Sequence, residues 1–210
     1  MLAYKNKLNN VFSFPKAPPS RVIIKKTKGE KMAEKVNSKD LVQRTLVLCK
    51  PDAVQRGIVG EIIQRFERVG LKIVGIKMAA PDVDLYEKHY EEIGKLITRR
   101  GEQTFRYNLD YMLTGPVIAI CLEGIEAVEL VRKIVGPTEP KSAPMGTIRG
   151  DYSHMSFGYS DAKGIGVPNL VHASGSVEEA KEEVKLWFTE KETYDYEDLN
   201  EKYTRGNFKH

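Results

Sequence analysis

A chain of 210 residues that is 41% hydrophobic and 30% charged, with both signs mixed, has enough apolar mass for one good-sized core and the surface of a globular protein. Its net charge of +4 is too small and diffuse to argue for nucleic acid, although it suits small polyanions. No apolar run approaches a membrane span, and Cys49 and Cys121, each inside an apolar run, read as reduced core thiols of a cytoplasmic protein rather than a disulfide or metal pair.

Residues 1–40 carry scattered lysines with Pro15, Pro18 and Pro19 and no sustained periodicity, a composition that buries little. Three readings compete: a disordered basic extension, a targeting presequence, or sequence translated from upstream of the true start. Lys28-Gly-Glu-Lys-Met32 can be encoded by an AAGGAG-like ribosome-binding sequence just before a start codon, which makes Met32 a candidate first residue. A transit peptide is usually richer in arginine and serine.

Order is expected from residue 41 to 210. Thr45 to Cys49 is a continuous apolar run, consistent with a central strand that Pro51 stops. Ile58, Ile62, Phe66 and Val69 recur at helical spacing before Gly70. Leu71 to Ala79 reads as a second strand. Asp84 is expected to cap a helix through Tyr86, Tyr90 and Ile93, which a polar patch over 94–103 interrupts, and a short helix follows over 104–113. Val117 to Leu122 is the third strand, and Val128, Val131 and Val135 mark the helical face after it. Residues 136–168 have little periodicity and much Gly, Pro and Ser; so long a loop in a compact domain is usually functional. A last strand then carries His172, and Ser176-x-x-Glu179 opens a helix to about Phe188 as a capping box. These elements predict a single split βαβ-type domain, one sheet with helices on its face.

Lys50, Arg132, Thr138, Arg149, Asn169, His172 and Ser174 collect in loops or at element ends. Guanidinium forks pair with phosphate oxygens and an ammonium adds a point charge, so this set suits a polyphosphate, although any one of these cations alone is more often a solvated surface charge. There is no G-x-x-x-x-G-K-[ST] loop, no kinase glycine loop and no kinase catalytic loop. Gly158 to Gly166 does not sit between a strand and a helix and reads as a flexible insertion. A neutral imidazole held on rigid backbone can attack phosphorus and pass the group onward, which makes His172 the candidate nucleophile. Taken alone, a histidine beside apolar neighbours is more often structural.

Four motifs together change that balance: Thr45-Leu-Val-Leu-Cys-Lys50-Pro-Asp-Ala53, Arg132-Lys-Ile-Val-Gly-Pro-Thr138-Glu-Pro, Gly146-Thr-Ile-Arg149-Gly-Asp-Tyr152 and Asn169-Leu-Val-His172-Ala-Ser174. In this order the chain closely resembles the nucleoside diphosphate kinase family from about Arg44 to Phe188. The resemblance implies a ferredoxin-like α/β fold, a four-stranded antiparallel sheet covered by helices. It also implies phosphohistidine ping-pong transfer of a γ-phosphate from a Mg-bound nucleoside triphosphate to a diphosphate. His172 would be the nucleophile, with Glu183 and Tyr90 orienting or supporting it and Ser174 assisting through a hydrogen bond. Lys50 would meet the ribose hydroxyl and phosphate, Arg132, Thr138 and Arg149 the phosphates, and Asn169 the sugar. Mg2+ would be carried by the nucleotide, with no metal ligands from the protein. Nucleotides and further copies of the chain are the implied partners.

Three departures stand out. The family usually has Asp after the serine, where this chain has Gly175, so a carboxylate near the metal's water shell is expected to be missing. Thr104 aligns with the base-stacking phenylalanine after an insertion near 94–103, which leaves Phe105 or Tyr107 as substitutes. A second insertion, near 153–168, falls in the region that helps the family pack trimers. Gly175 and the insertions keep open a non-catalytic nucleotide-binding scaffold. The basic extension raises nucleic-acid binding as a third, weaker reading, with a steep salt dependence that disappears when the residues before Met32 are removed.

Overall fold

The computed structural model describes residues 37–206, so the basic extension and its candidate start at Met32 lie outside the described residues. Four strands, β1 (Val42–Cys49), β2 (Lys72–Ala79), β3 (Val117–Ile125) and β4 (Val171–Ala173), form one sheet in the order β2-β3-β1-β4. Every neighbouring pair is antiparallel. Helices α1 (Pro51–Gln55) and α2 (Val59–Glu67) follow β1, and α3 (Val83–Glu87) continues after β2 into a wider π-helical turn, Lys88–Ile93. Then come α4 (Leu96–Arg100), α5 (Glu102–Met112) and, after β3, α6 (Ala127–Val135). The long connection holds α7 (Ile148–Tyr152) and α8 (Phe157–Lys163), and α9 (Val177–Trp187) and α10 (Leu199–Thr204) follow β4. This is the ferredoxin-like α/β arrangement expected from the sequence. Among the described residues no helix is long and apolar enough to cross a membrane.

Alternation along β1 explains why the sheet is buried on both sides rather than one. Val47 and Cys49 point to a cluster built with Ile62 and Phe66 of α2 and Val131 and Val135 of α6. Leu46 and Leu48 point the other way, toward Tyr86, Met112 and Trp187. A continuous apolar strand with two covered faces is what the run Thr45 to Cys49 requires, and each large apolar side chain so buried contributes roughly 1.5–3 kcal/mol. The helices therefore lie on two faces, a correction to the single covered face read from the sequence.

Other local expectations also change. Asp82, not Asp84, caps α3, its carboxylate accepting the Leu85 N–H at 3.0 Å. The polar patch over 94–103 contains α4, and Gly158 to Gly166 contains most of α8 and its glycine stop, rather than flexible chain. The two insertions pack on each other. The Arg100 guanidinium lies 5.9 Å from the Phe157 ring centre, and the second insertion also meets α5, where a side-chain carbon on Gly166 would fall 2.5 Å from the Tyr107 carbonyl oxygen. Short polar helices with few apolar positions leave no periodicity to read. Beyond α9 the chain lies over β2, where the Tyr194 N–H donates to the Val74 carbonyl at 2.8 Å and the Tyr196 hydroxyl to that of Ile73 at 2.8 Å.

Candidate active site

The approach to β4 fixes where His172 points. The Val171 N–H donates back to the Asn169 carbonyl at 2.8 Å, a three-residue turn that puts Leu170 at φ 70°. Positive φ is costly for leucine, and the surroundings over-determine it. The Leu170 side chain is fully buried, its N–H donates to Asp52 Oδ2 at 3.1 Å, and its carbonyl accepts the Lys50 N–H at 2.8 Å. His172 then pairs with Leu48 across the sheet. Cross-strand partners share a face, so the imidazole enters the side that holds Tyr86, Tyr90 and Trp187.

Glu183, two turns into α9, reaches back to the strand. Its Oε1 lies 2.9 Å from His172 Nε2, and its Oε2 accepts the Ser174 hydroxyl at 2.6 Å. Ser174 Oγ in turn accepts the Leu46 N–H at 3.1 Å. Burial alone would raise the Glu183 carboxyl, but His172, then His89 and the Ser174 hydroxyl, bring it down to about 2. An ionised Glu183 accepts a hydrogen bond from Nε2–H, the tautomer that leaves the Nδ1 lone pair available. A second histidine, absent from the sequence-derived set, lies edge-on to the first. His89 is 1% exposed, its ring centre is 4.4 Å from that of His172, and its Nδ1 accepts the Trp187 indole N–H at 3.2 Å. Burial, reinforced by His172, holds its pKa well below the ordinary value, so it stays neutral. Tyr90 stands 6.1 Å from His172, ring to ring, with a buried hydroxyl that has no partner among the described residues. His172, Glu183, Ser174 and Tyr90 are thus brought together.

The cations sit beside them in unequal states. Arg149 is buried, and three of its N–H groups go to backbone carbonyls: Asn169 at 3.1 Å and Val171 at 2.5 Å on the approach to the histidine, and Gly136 at 2.8 Å at the end of α6. A guanidinium has five donors, so two remain for an anion. Burial, and then Arg132 nearby, lower its pKa to about 10. Arg132 and Thr138 are exposed. The Thr138 carbonyl accepts the Asn169 amide at 2.9 Å, which leaves the buried Asn169 Oδ1 with no partner among the described residues. Thr104 is exposed, with its hydroxyl on the Arg100 carbonyl at 3.0 Å. Phe105 is 7% exposed within the cluster of Tyr86, Met112 and Trp187, because it lies on the apolar face of α5. Its ring is therefore not free to stack on a base, which corrects that expectation.

Lys50 is 5% exposed, and burial, with Arg149 adding to it, brings its pKa down from 10.5 to about 7. Above neutral pH the folded lysine has lost a proton that the unfolded chain keeps, so stability should rise with pH between those two values. A polyphosphate bound against Lys50 would restore the charge. Titration calorimetry at pH 8 in buffers of different ionisation enthalpy should show uptake of close to one proton per site, roughly, and Lys50→Met should abolish most of it.

Among the described residues, one group of possible metal ligands comes close together, His89, His172 and Glu183, and both Glu183 oxygens, His172 Nε2 and His89 Nδ1 already have partners in one another, Ser174 and Trp187. Basic groups dominate the rest of the cleft. That donor set fits a divalent ion held by the ligand's own phosphates rather than in a protein cage.

A family model described as nucleoside diphosphate kinase matches residues 43–193. The nucleoside diphosphate kinase of Pyrococcus furiosus is 50% identical over 155 residues, 74% of this chain and 88% of that one. That of Borreliella burgdorferi is 43% identical over 156 residues, 74% of this chain and 93% of that one. Among solved structures, a transition state mimic of the Borrelia burgdorferi enzyme with bound vanadate and ADP superposes with a TM-score of 0.77 at 41% identity, covering 80% of this chain and 99% of that one. An NDP kinase from Pyrobaculum aerophilum gives 0.67 at 41% identity, covering 73% and 100%.

Proposed function

The chain belongs to the nucleoside diphosphate kinase family, enzymes that move a γ-phosphate from a nucleoside triphosphate to a diphosphate through a phosphohistidine, and on that premise we propose which of its residues do so. The observation that carries the assignment is the 2.9 Å contact of Glu183 with His172 Nε2, which leaves Nδ1 as the reacting nitrogen. Its lone pair forms a bond to the γ-phosphorus as the bond to the bridging oxygen breaks, and the diphosphate departs with that electron pair. A β-phosphate oxygen of the second nucleotide then attacks the phosphorus, and the nitrogen takes its lone pair back. The positive charge that grows on the imidazole faces the Glu183 carboxylate. The negative charge on the phosphoryl oxygens faces Lys50, Arg132 and the two remaining N–H groups of Arg149.

The Asn169 amide oxygen, buried and without a partner among the described residues, is suited to a sugar hydroxyl, and the Tyr90 hydroxyl to the phosphoryl or imidazole side. The reaction uses a divalent metal, and we assign Mg2+, which would be carried by the nucleotide rather than by protein ligands and would supply charge neutralisation. Further proposals are a cytoplasmic location and a homo-oligomer. A scaffold that only binds nucleotide needs Lys50 and the arginines but not the ionised Glu183 on a free-nitrogen imidazole, so the complete cluster favours the enzyme.

The test is a pulse and chase. Wild-type protein incubated with Mg2+ and γ-phosphate-labelled ATP should take up about one acid-labile label per chain, and added GDP should carry it off as GTP. Protein that binds ATP and takes up no label would leave the scaffold reading in its place.

A further inference from the structure

The turn that follows the nucleophile is held by a glutamate the reaction above does not use. In a reciprocal capping box, Glu179 would accept the Ser176 N–H. Here the Ser176 hydroxyl accepts the Glu179 N–H at 3.2 Å, but the Glu179 carboxylate reaches one residue further back and accepts the Gly175 N–H at 3.0 Å. To do so it lies over the glycine. A side-chain carbon at 175 would fall 2.4 Å from Glu179 Oε2 and 3.1 Å from its carboxyl carbon. Gly175 is not among the residues of positive φ, so the backbone does not demand glycine there. What occupies the place of a side chain is the end of the Glu179 carboxylate.

Glu179 and Glu183 are one turn apart on the same face of α9. They hold successive parts of one short segment, Glu183 taking His172 and Ser174, and Glu179 taking Gly175. Arg99 of α4 stands 3.7 Å from Glu179 Oε1 and tempers the second negative charge. Gly175 also lines an open groove of about 420 Å³ with Arg132, Glu129 and Glu178.

Resting on the assignment of His172 as phosphoryl carrier, we propose that Glu179 is a positioning residue for the transfer. Its carboxylate, lodged where a side chain at 175 would be, fixes the peptide after the nucleophile and supplies from the helix the acid that an aspartate at 175 would have brought.

A double-mutant cycle tests this with kcat, the KM for the diphosphate and melting temperature read together. Gly175→Ala pushes the carboxylate away without altering its charge, and Glu179→Ala removes it. Each should lower kcat about ten-fold while KM stays within about two-fold, and the double variant should be no worse than either single one. Gly175→Asp placed on Glu179→Ala should recover most of the loss. Single variants with wild-type kcat, single effects that multiply in the double variant, or a Gly175→Asp, Glu179→Ala protein no faster than Glu179→Ala would each overturn the proposal. Failure of the underlying kinase assignment shows separately, as wild-type protein that takes up no label.

Discussion

His172→Gln should lose phosphoryl uptake entirely and lower turnover by at least about 10⁴-fold, while ATP affinity stays within about three-fold. The reaction is divided into two displacements by a nitrogen that is first nucleophile and then leaving group, and the glutamine amide offers neither function. Binding should persist because Arg149 and Asn169 are held by contacts that do not involve the imidazole, and Lys50 and Arg132 lie on other elements. Arg149 is anchored by backbone carbonyls, and the Asn169 amide by that of Thr138. The checks are rapid-quench labelling and equilibrium binding of ATP on the same preparation. Retained labelling in the variant would move the phosphoryl carrier elsewhere. Loss of binding together with labelling would mean that His172 shapes the nucleotide site rather than the chemistry.

The parts of this site visible in the sequence are those that one residue type at one spacing can declare. The run Thr45 to Cys49 announces a strand, and Ser176 announces the start of the helix that carries Glu183. Four ordered motifs were enough for the family. The invisible parts depend on which side chain meets which across long separations. His89 looks like one more residue of a polar helix until β4 brings His172 against it. Arg149 reads as a phosphate ligand, yet three of its five donors hold backbone carbonyls, two of them on the approach to His172, because a buried guanidinium must find acceptors wherever the fold supplies them. Gly175 reads as a missing carboxylate because only the folded turn shows Glu179 in the vacated place. The insertions were legible as insertions but not as helices, since α4 and α8 are short, polar and stabilised largely by packing on α5 and its neighbours rather than by an apolar stripe of their own.

Glu183→Gln should lower kcat by about 10²-fold or more with KM changed less than about three-fold, since the exchange preserves shape and removes charge. The amide oxygen can still accept from His172 Nε2, so the tautomer and the aim of Nδ1 survive. What disappears is the negative charge facing the imidazole as it becomes positive, an interaction stronger in the transition state than in the resting enzyme. Stability should also fall, by roughly 2 kcal/mol at neutral pH, because a charge-assisted pair of bonds to His172 and Ser174 becomes a neutral one in a buried place. The pH dependence of that loss separates charge from packing. Folded Glu183 is held near 2 against an ordinary 4.5, so the unfolded chain binds the extra proton between these values. The wild-type advantage is therefore complete above the unfolded value and drains away as pH falls from there toward 2. Denaturant melts of both proteins at several pH values should converge in that window. Curves that stay parallel down to pH 2 would assign the loss to packing alone, and the drop in kcat would then need another cause than the Glu183 charge.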